Sequence, residues 1–379
     1  MRGITSQKNT RVYIYAYKDA RAISIECVFQ RLGAFQPLQI VFNASGTPLA
    51  RIKQKKEKNM YLAKYIAKRL LLLVFTFFII ITICFVLVKL LPNKPVEQFG
   101  KDYELILRRR EMLGYDKPIM EQYWLFWKYA FKGNFGVSEA LYVGSDVWQV
   151  FTSKIPFTVA LNLWATLISI PIGIGLGIFA ALKKNKWQDH VISTGVMIFV
   201  SVPSFIYAFL VQYVLYFKLG WTGAVADALE GAWSWSFFKS IIPAILSMCF
   251  GTVAGFTRYT RAELTEVLTN EFMLLARTKG LTRAQATVRH ALRNAMVPIF
   301  PMILGEFVSL MGGSLIIEKI FSIPGTGALY INSIQAQPTP DYNFFMLLSA
   351  FYILIGLVFG IVVDISYSII DPRIRMGAK

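Results

Sequence analysis

The chain has 379 residues, of which 55% are hydrophobic and only 16% charged, and its mean hydropathy of +0.49 excludes an ordinary soluble domain. A formal net charge of +18 would suit a nucleic-acid binder. The basic excess instead flanks apolar runs, so the expected partner is membrane lipid and not nucleic acid. Cys27, Cys84 and Cys249 are far apart and His190 and His290 stand alone, which leaves no disulfide framework and no metal-ligand spacing.

Residues 1–59 contain no span and no signal-peptide pattern. Short β-favouring runs such as Val12–Tyr17 alternate there with basic residues, as in a small or poorly ordered cytoplasmic extension. Met60 is followed at once by the basic-then-apolar pattern of a membrane-protein start. The extension is therefore either real or the product of a start placed upstream of Met60, and the second reading is favoured.

Residues 60–154 hold a first span, Leu70–Val88, and an external segment, Pro92–Lys154. In that segment the spacing predicts a helix over Tyr103–Leu113, a turn at Gly114–Pro118 and an aromatic run, Tyr123–Phe131. Residues 155–370 form a core with spans at Ile155–Leu182, Val191–Phe217, Ile241–Thr257, Met296–Ile317 and Phe344–Val363, and 371–379 is a tail. A membrane-crossing helix needs about 20 apolar residues, so the expected fold is an all-α integral membrane protein with six transmembrane helices. Pro203 removes a hydrogen bond within the third span and should kink it. Gly173, Gly175 and Gly177, Gly251 with Gly255, and Gly356 with Gly360 are expected at close helix contacts.

Lys and Arg set the orientation. Residues 51–69 hold eight basic residues, 183–190 hold Lys183, Lys184 and Lys186, and 258–294 hold seven. The opposite short loops hold Lys218, Lys239 and Lys319 alone. Both termini are thus expected in the cytoplasm.

The segment Glu271–Pro298, between the fourth and fifth spans, reads as a basic helix–turn–helix. Asn270 is placed to cap a first helix, Lys279 lies in its last turn, and Gly280 sits where a left-handed stop is cheapest. Leu281 can fold back on Leu275 and Ala276, and Thr282 with Gln285 forms a capping-box pattern for a second helix. This is a rigid knob suited to docking.

No phosphate-binding loop, His-Glu-x-x-His helix or nucleophile elbow occurs, so no catalytic, cofactor or metal residue is assigned. Glu306 is the one carboxylate inside a span, and it either faces a water-filled path or bonds a neighbouring helix. An ion-gradient-driven secondary transporter would need more such charges or broken helices. A non-transporting scaffold would not need the paired caps around Gly280.

Four segments in order, YLAKYIAKRLLLL from Tyr61, LGYDKPIMEQYW with GNFGVS at Leu113–Ser138, ARTKGL to HALRNAMVP at Ala276–Pro298, and EKIFSIPGTGALY with DISYSIIDPRIR at Glu318–Arg375, carry a resemblance. They are similar to the membrane permease of peptide/nickel ABC importers, in the dipeptide and oligopeptide branch. The resemblance implies a type I importer permease fold in a prokaryotic plasma (inner) membrane. It further implies a second homologous permease, two ATP-binding subunits that hold the ATP, and an external solute-binding protein. It makes 271–281 the coupling helix that docks on an ATPase, with Glu271, Ala276, Lys279, Gly280 and Leu281 as its coupling residues, Ala276 keeping the face slim and Gly280 setting the bend. Pro92–Pro95 and Pro340–Asn343 depart from the usual motifs of the family, and nothing in the spans chooses among peptides, glutathione-like thiols, nickel complexes and sugars.

Overall fold

The computed structural model describes the backbone of residues 11–19, 22–31, 34–43, 49–91, 101–312, 314–337 and 339–370, with side chains from 64 to 366 apart from 92–102, 313 and 338. Pro92–Pro95 and the 371–379 tail lie outside the described residues. The chain divides into two units, Met1–Leu72 and Leu73–Lys379. In the first, β1 (Arg11–Asp19), β2 (Ala22–Arg31) and β3 (Ala34–Asn43) form an antiparallel meander in that order, with Val12 opposite Phe29 and Ile25 opposite Ile40. The all-helical expectation therefore describes the membrane unit, and the extension adds a small sheet in which the run Val12–Tyr17 is one strand.

Helix α1 covers Leu49–Leu90, and its apolar part, Lys64–Leu90, is long enough to cross a membrane. The next segment holds α2 (Lys101–Met112) and α3 (Ile119–Ala130), separated by a turn in which Gly114 takes φ +70°. Then come α4 (Val147–Leu182), α5 (Trp187–Ser201), α6 (Ser204–Gln212, continued by a π-helical turn to Lys218) and α7 (Trp235–Thr269). The chain continues through α8 (Glu271–Thr278), α9 (Arg283–Ala286), a π-helical turn and α10 (Leu292–Ser309). Short helices α11 (Leu315–Ile320) and α12 (Thr326–Gln335) precede α13 (Tyr342–Ile370). Among the described residues, five helices are long and apolar enough to span, or six if α5 and α6 make one broken span.

The third span departs from its expected form. It bends by 100° between α5 and α6, well beyond a proline kink. Pro203 excludes its predecessor from the helical region, and Val202 accordingly takes φ −97°, ψ 126°. The fifth span was expected to end at Ile317, but it stops at Ser309, and Ile317 lies on α11. The turn there closes through a Gly312 N–H to Ser309 O bond of 2.7 Å, and Asn162 of α4 donates to the carbonyl of Leu310 at 2.8 Å.

Helices α4 and α7 form the spine of the bundle. Their backbones meet at Gly173 and Gly177: a Cβ on Gly177 would lie 2.5 Å from Thr260 Cβ and 2.8 Å from the Thr257 carbonyl. Thr257 Oγ1 donates to Gly173 O at 3.1 Å, a bond available only at such close approach. Not every glycine expected at a contact is at one. Gly175, Gly251, Gly255, Gly356 and Gly360 have open space where a Cβ would go.

Around this spine the core is layered. Ala181, Leu264, Val267, Met273, Ala276, Ala286 and Ala295 pack at the α8 end, and Ile170, Phe256 and Ile299 pack in the middle. At the opposite end Phe151 meets Phe344 and Leu348, and Ile81 and Phe85 meet Met346. Gly177→Val should therefore destabilise the purified chain by roughly 1–3 kcal/mol through overpacking, whereas Gly255→Ala should be neutral. Thermal unfolding in detergent checks this, and equal melting temperatures for the two variants would contradict the close-approach account.

Candidate coupling site and its connections

Helix α7 ends when Asn270 turns extended at φ −72°, ψ 147°, and α8 starts on the next residue. Asn270 occupies the cap position, yet its side chain makes no cap hydrogen bond there. The C-terminal close has both bonds of a Schellman motif, Leu281 N–H to Ala276 O at 3.3 Å and Gly280 N–H to Arg277 O at 3.0 Å. Gly280 takes φ +89°, with nothing within 4 Å of where a Cβ would lie, so its requirement is purely one of backbone conformation. Thr282 Oγ1 accepts from Gln285 N–H at 3.3 Å and Gln285 Oε1 from Thr282 N–H at 3.1 Å, completing the capping box.

The two faces of α8 differ. Met273 and Ala276 are buried against the ends of α4 and α7 and against Ala286, with Leu281 packed on the same cluster. Ala276 thus faces the chain's own interior, where its small size lets α8 lie close. Glu271, Phe272, Leu274, Leu275, Lys279 and Gly280 are exposed. Helix α9, the π-helical turn and α10 form one rod, Arg283–Ser309, which ties the hairpin to the fifth span. Glu306 is half-buried on that rod. By helical spacing it continues the face of Ile299 and Ile303, which packs on α4 and α7.

Three polar anchors were not assigned from the sequence. Asp189, 1% exposed, takes a bidentate pair from Arg261 of α7 at 2.5 and 2.8 Å. It also accepts Asn185 N–H at 2.9 Å, and Asn185 is one of two non-glycine residues with positive φ among those described. At the opposite end, fully buried Asp341 accepts from Ser138 Oγ at 2.6 Å and from the N–H groups of Glu139, Ala140 and Leu141 at 3.1, 3.1 and 3.2 Å. Beside it Arg110 pairs with Glu139 at 2.5 Å. Burial pushes the Glu139 carboxyl above the usual carboxylate range, against the pull of Arg110.

The third anchor is Glu318, also fully buried, which accepts from Thr158 Oγ1 of α4 and from Ala328 N–H, each at 3.0 Å. Its carboxylate reaches from α11 to the start of α12, where the helix dipole favours an anion. Gly325 is required here, because a Cβ would come within 2.3 Å of Glu318 Oε2 and 2.5 Å of Thr158 Oγ1. Burial raises the Glu318 carboxyl, opposed by those hydrogen bonds. The only sequence signals were that Glu318 opened the motif segment EKIFSIPGTGALY and that Asp341 stood in Pro340–Asn343, which departs from the family motif.

Residues 173–376 match the family described as binding-protein-dependent transport system inner membrane component, and residues 62–162 match its N-terminal companion. The chain belongs to this family. It is 33% identical over 315 residues to the dipeptide transport system permease protein DppB of Lactococcus lactis subsp. cremoris, across 83% of this chain and all of that one. It is 34% identical over 317 residues to the glutathione transport system permease protein GsiC of Escherichia coli K12, across 82% and 98%. A crystal structure of an amino acid ABC transporter with histidines aligns over 58% of this chain and 94% of its own, at 18% identity and a TM-score of 0.43. This family member has the type I permease fold. It is the multi-pass inner-membrane subunit that forms the translocation pathway of an ATP-driven importer, with ATP hydrolysis on separate subunits and a solute-binding partner. The broken α5–α6 pair, which an ion-driven carrier would also show, is thus a feature of an ATP-driven permease.

A carboxyl raised by folding contributes stability that is full below its ordinary value and lost as pH rises through the raised one. The melting temperature of the wild-type chain should therefore fall as pH climbs above the ordinary glutamate range, and Glu318→Gln should flatten that slope. An unchanged slope in the variant would remove Glu318 as a source.

Proposed function

We propose that the α8 hairpin, Glu271 to Leu281, is the surface on which an ATPase subunit docks. The observation that carries this is the division of α8 into a fixed face and a free one. Met273 and Ala276 lock it to the ends of three long helices, while Phe272, Leu274 and Leu275 stay exposed between Glu271 and Lys279. A short helix with exposed apolar residues rimmed by charge suits a partner's groove. Gly280 sets the bend, and Lys279 and Leu281 flank it.

In the proposed assembly this chain pairs with a second homologous permease, two ATP-binding subunits and one external solute-binding protein. The chain binds no cofactor, and ATP stays on the partner subunits. The solute is a short peptide or a peptide-like molecule such as glutathione, a reading supported by the names of the two relatives above. Glu306, on the inward face of α10, is the intramembrane polar residue available to the pathway. Both termini are cytoplasmic, supported by the Lys and Arg bias toward residues 51–69, 183–190 and 258–294.

A β-branched residue at a left-handed position costs about 1–3 kcal/mol, while asparagine tolerates it. Gly280→Val should lower both ATPase co-purification and ATP-dependent uptake of a labelled dipeptide at least several-fold, and Gly280→Asn should retain both. Wild-type uptake by the valine variant would count against the hairpin as the docking element. For orientation, a C-terminal green fluorescent protein fusion should fluoresce and a C-terminal alkaline phosphatase fusion should be inactive; the reverse pattern would invert the topology.

A further inference from the structure

Helix α3 has apolar residues on two adjoining sides that meet at Trp127, and only one of them is covered by protein. Tyr123, Phe126 and Trp127 pack on α1 and on the start of α13, with Phe85 and Met346 among their neighbours. Tyr123 Oη and Thr82 Oγ1 share a hydrogen bond of 2.6 Å, and the Trp127 ring lies 4.5 Å from that of Phe78. On the other side Met120, Trp124 and Phe131 are 75%, 72% and 75% exposed. Positions 120, 124 and 131 fall on one helical stripe. Lys117, Glu121, Lys128 and Lys132 are exposed along it.

The depth of the α1 contact decides what covers that stripe. Lys64–Leu90 is a membrane-length run, and Phe78 lies more than three helical turns inside Leu90, about 18 Å at the α-helical rise. The polar head-group zone takes only about 5–7 Å on each side of the hydrocarbon. Phe78 is therefore at hydrocarbon depth even if Leu90 reaches the water boundary, and Trp127, seated on it, shares that depth. We infer that α3 is a membrane-inserted helix lying along α1, with Met120, Trp124 and Phe131 covered by the acyl chains of the leaflet opposite the α8 hairpin. Lys117, at the end of α3 nearest Lys89, pairs with Glu121 at 3.7 Å, so the charge at that end is already balanced beside the stripe. The segment between α1 and α4 is then not a free-standing external domain but one held down onto the lipid beside α1 and α13.

The test uses the full chain in phosphatidylcholine nanodiscs. Cys27, Cys84 and Cys249 are replaced by serine, and a fluorophore is attached at Trp124→Cys or, as a water-facing control in the turn before α3, at Asp116→Cys. Nitroxide-labelled lipid should quench the label at 124 and leave that at 116 bright, while aqueous iodide should do the opposite. Iodide quenching at 124 to the level of 116 would overturn the proposal. So would a label at 124 that neither quencher reaches once the solute-binding protein and second permease are present, because protein would then cover the stripe. If the cysteine-free chain does not fold, brominated lipid is applied to the wild-type chain and to Trp124→Phe. The emission lost with the substitution should be the bromine-quenched part, and a bromine-insensitive difference would refute the inference.

Discussion

Helices α4 and α7 touch backbone to backbone, and the rest of the membrane unit takes its position from that contact. Inside a bilayer apolar surface does not drive helices together, so association depends on close packing and on hydrogen bonds between helices. Gly173 and Gly177 provide the first by leaving no Cβ between the rods, and Thr257 provides the second by donating to a main-chain carbonyl of α4. Two helices of 36 and 35 residues are thereby fixed to each other toward their α8 ends. Their ends at one side hold Met273 and Ala276 of α8. At the other side the start of α4 holds Phe344 and Leu348 of α13 through Val147 and Phe151.

What could be read from the residues was what depends on near neighbours. The stop at Gly280, the return of Leu281 and the reciprocal Thr282–Gln285 bonds are each decided within a few positions, and all form. The apolar runs were legible for the same reason, since span length is a local property. Asn270 shows the limit even there: it takes the cap conformation without using its side chain. Features decided by distant partners were not legible. Glu318 finds Thr158 across 160 positions, Asp341 finds Ser138 across 203, and Asp189 finds Arg261 across 72. Identical composition gave opposite outcomes for the glycines, because whether Gly177 or Gly255 meets a neighbour depends on which helix lies beside it. Pro203 announced a lost hydrogen bond, but the bend found there is 100°, more than one lost bond implies.

The buried carboxylates follow two distinct solutions to one problem. An isolated charge out of water is costly unless it is bonded or paired. Glu318 and Asp341 are satisfied mainly by hydroxyl and main-chain N–H donors at the starts of structural segments, so neither needs a mobile cationic side chain. Such sites hold fixed geometry: each pins a short segment to α4 or to the α13 start. Asp189 is different, because its partner is the planar fork of an arginine on another long helix, a contact that is strong and direction-dependent.

That difference bears on how motion at the hairpin would spread. In the proposed scheme a force on the exposed face of α8 enters through Met273 and Ala276, which touch the last turns of α4 and α7. Since those two rods are locked at Gly173 and Gly177, they move as one body and do not slide past each other. Arg261, two turns before the end of α7, then carries the displacement to Asp189 at the start of α5. Helix α5 is the first half of the broken pair, and the interruption at Val202–Pro203 is the place along that path where the backbone can change angle without breaking a helical hydrogen bond. The far end is held by Asp341 and Glu318, so a rotation arising at the hairpin finds its least resistance at the break. The arrangement thus favours a turn of the α4–α7 spine as one body, taken up by hinging between α5 and α6 at the break, over a rigid tilt of the whole bundle.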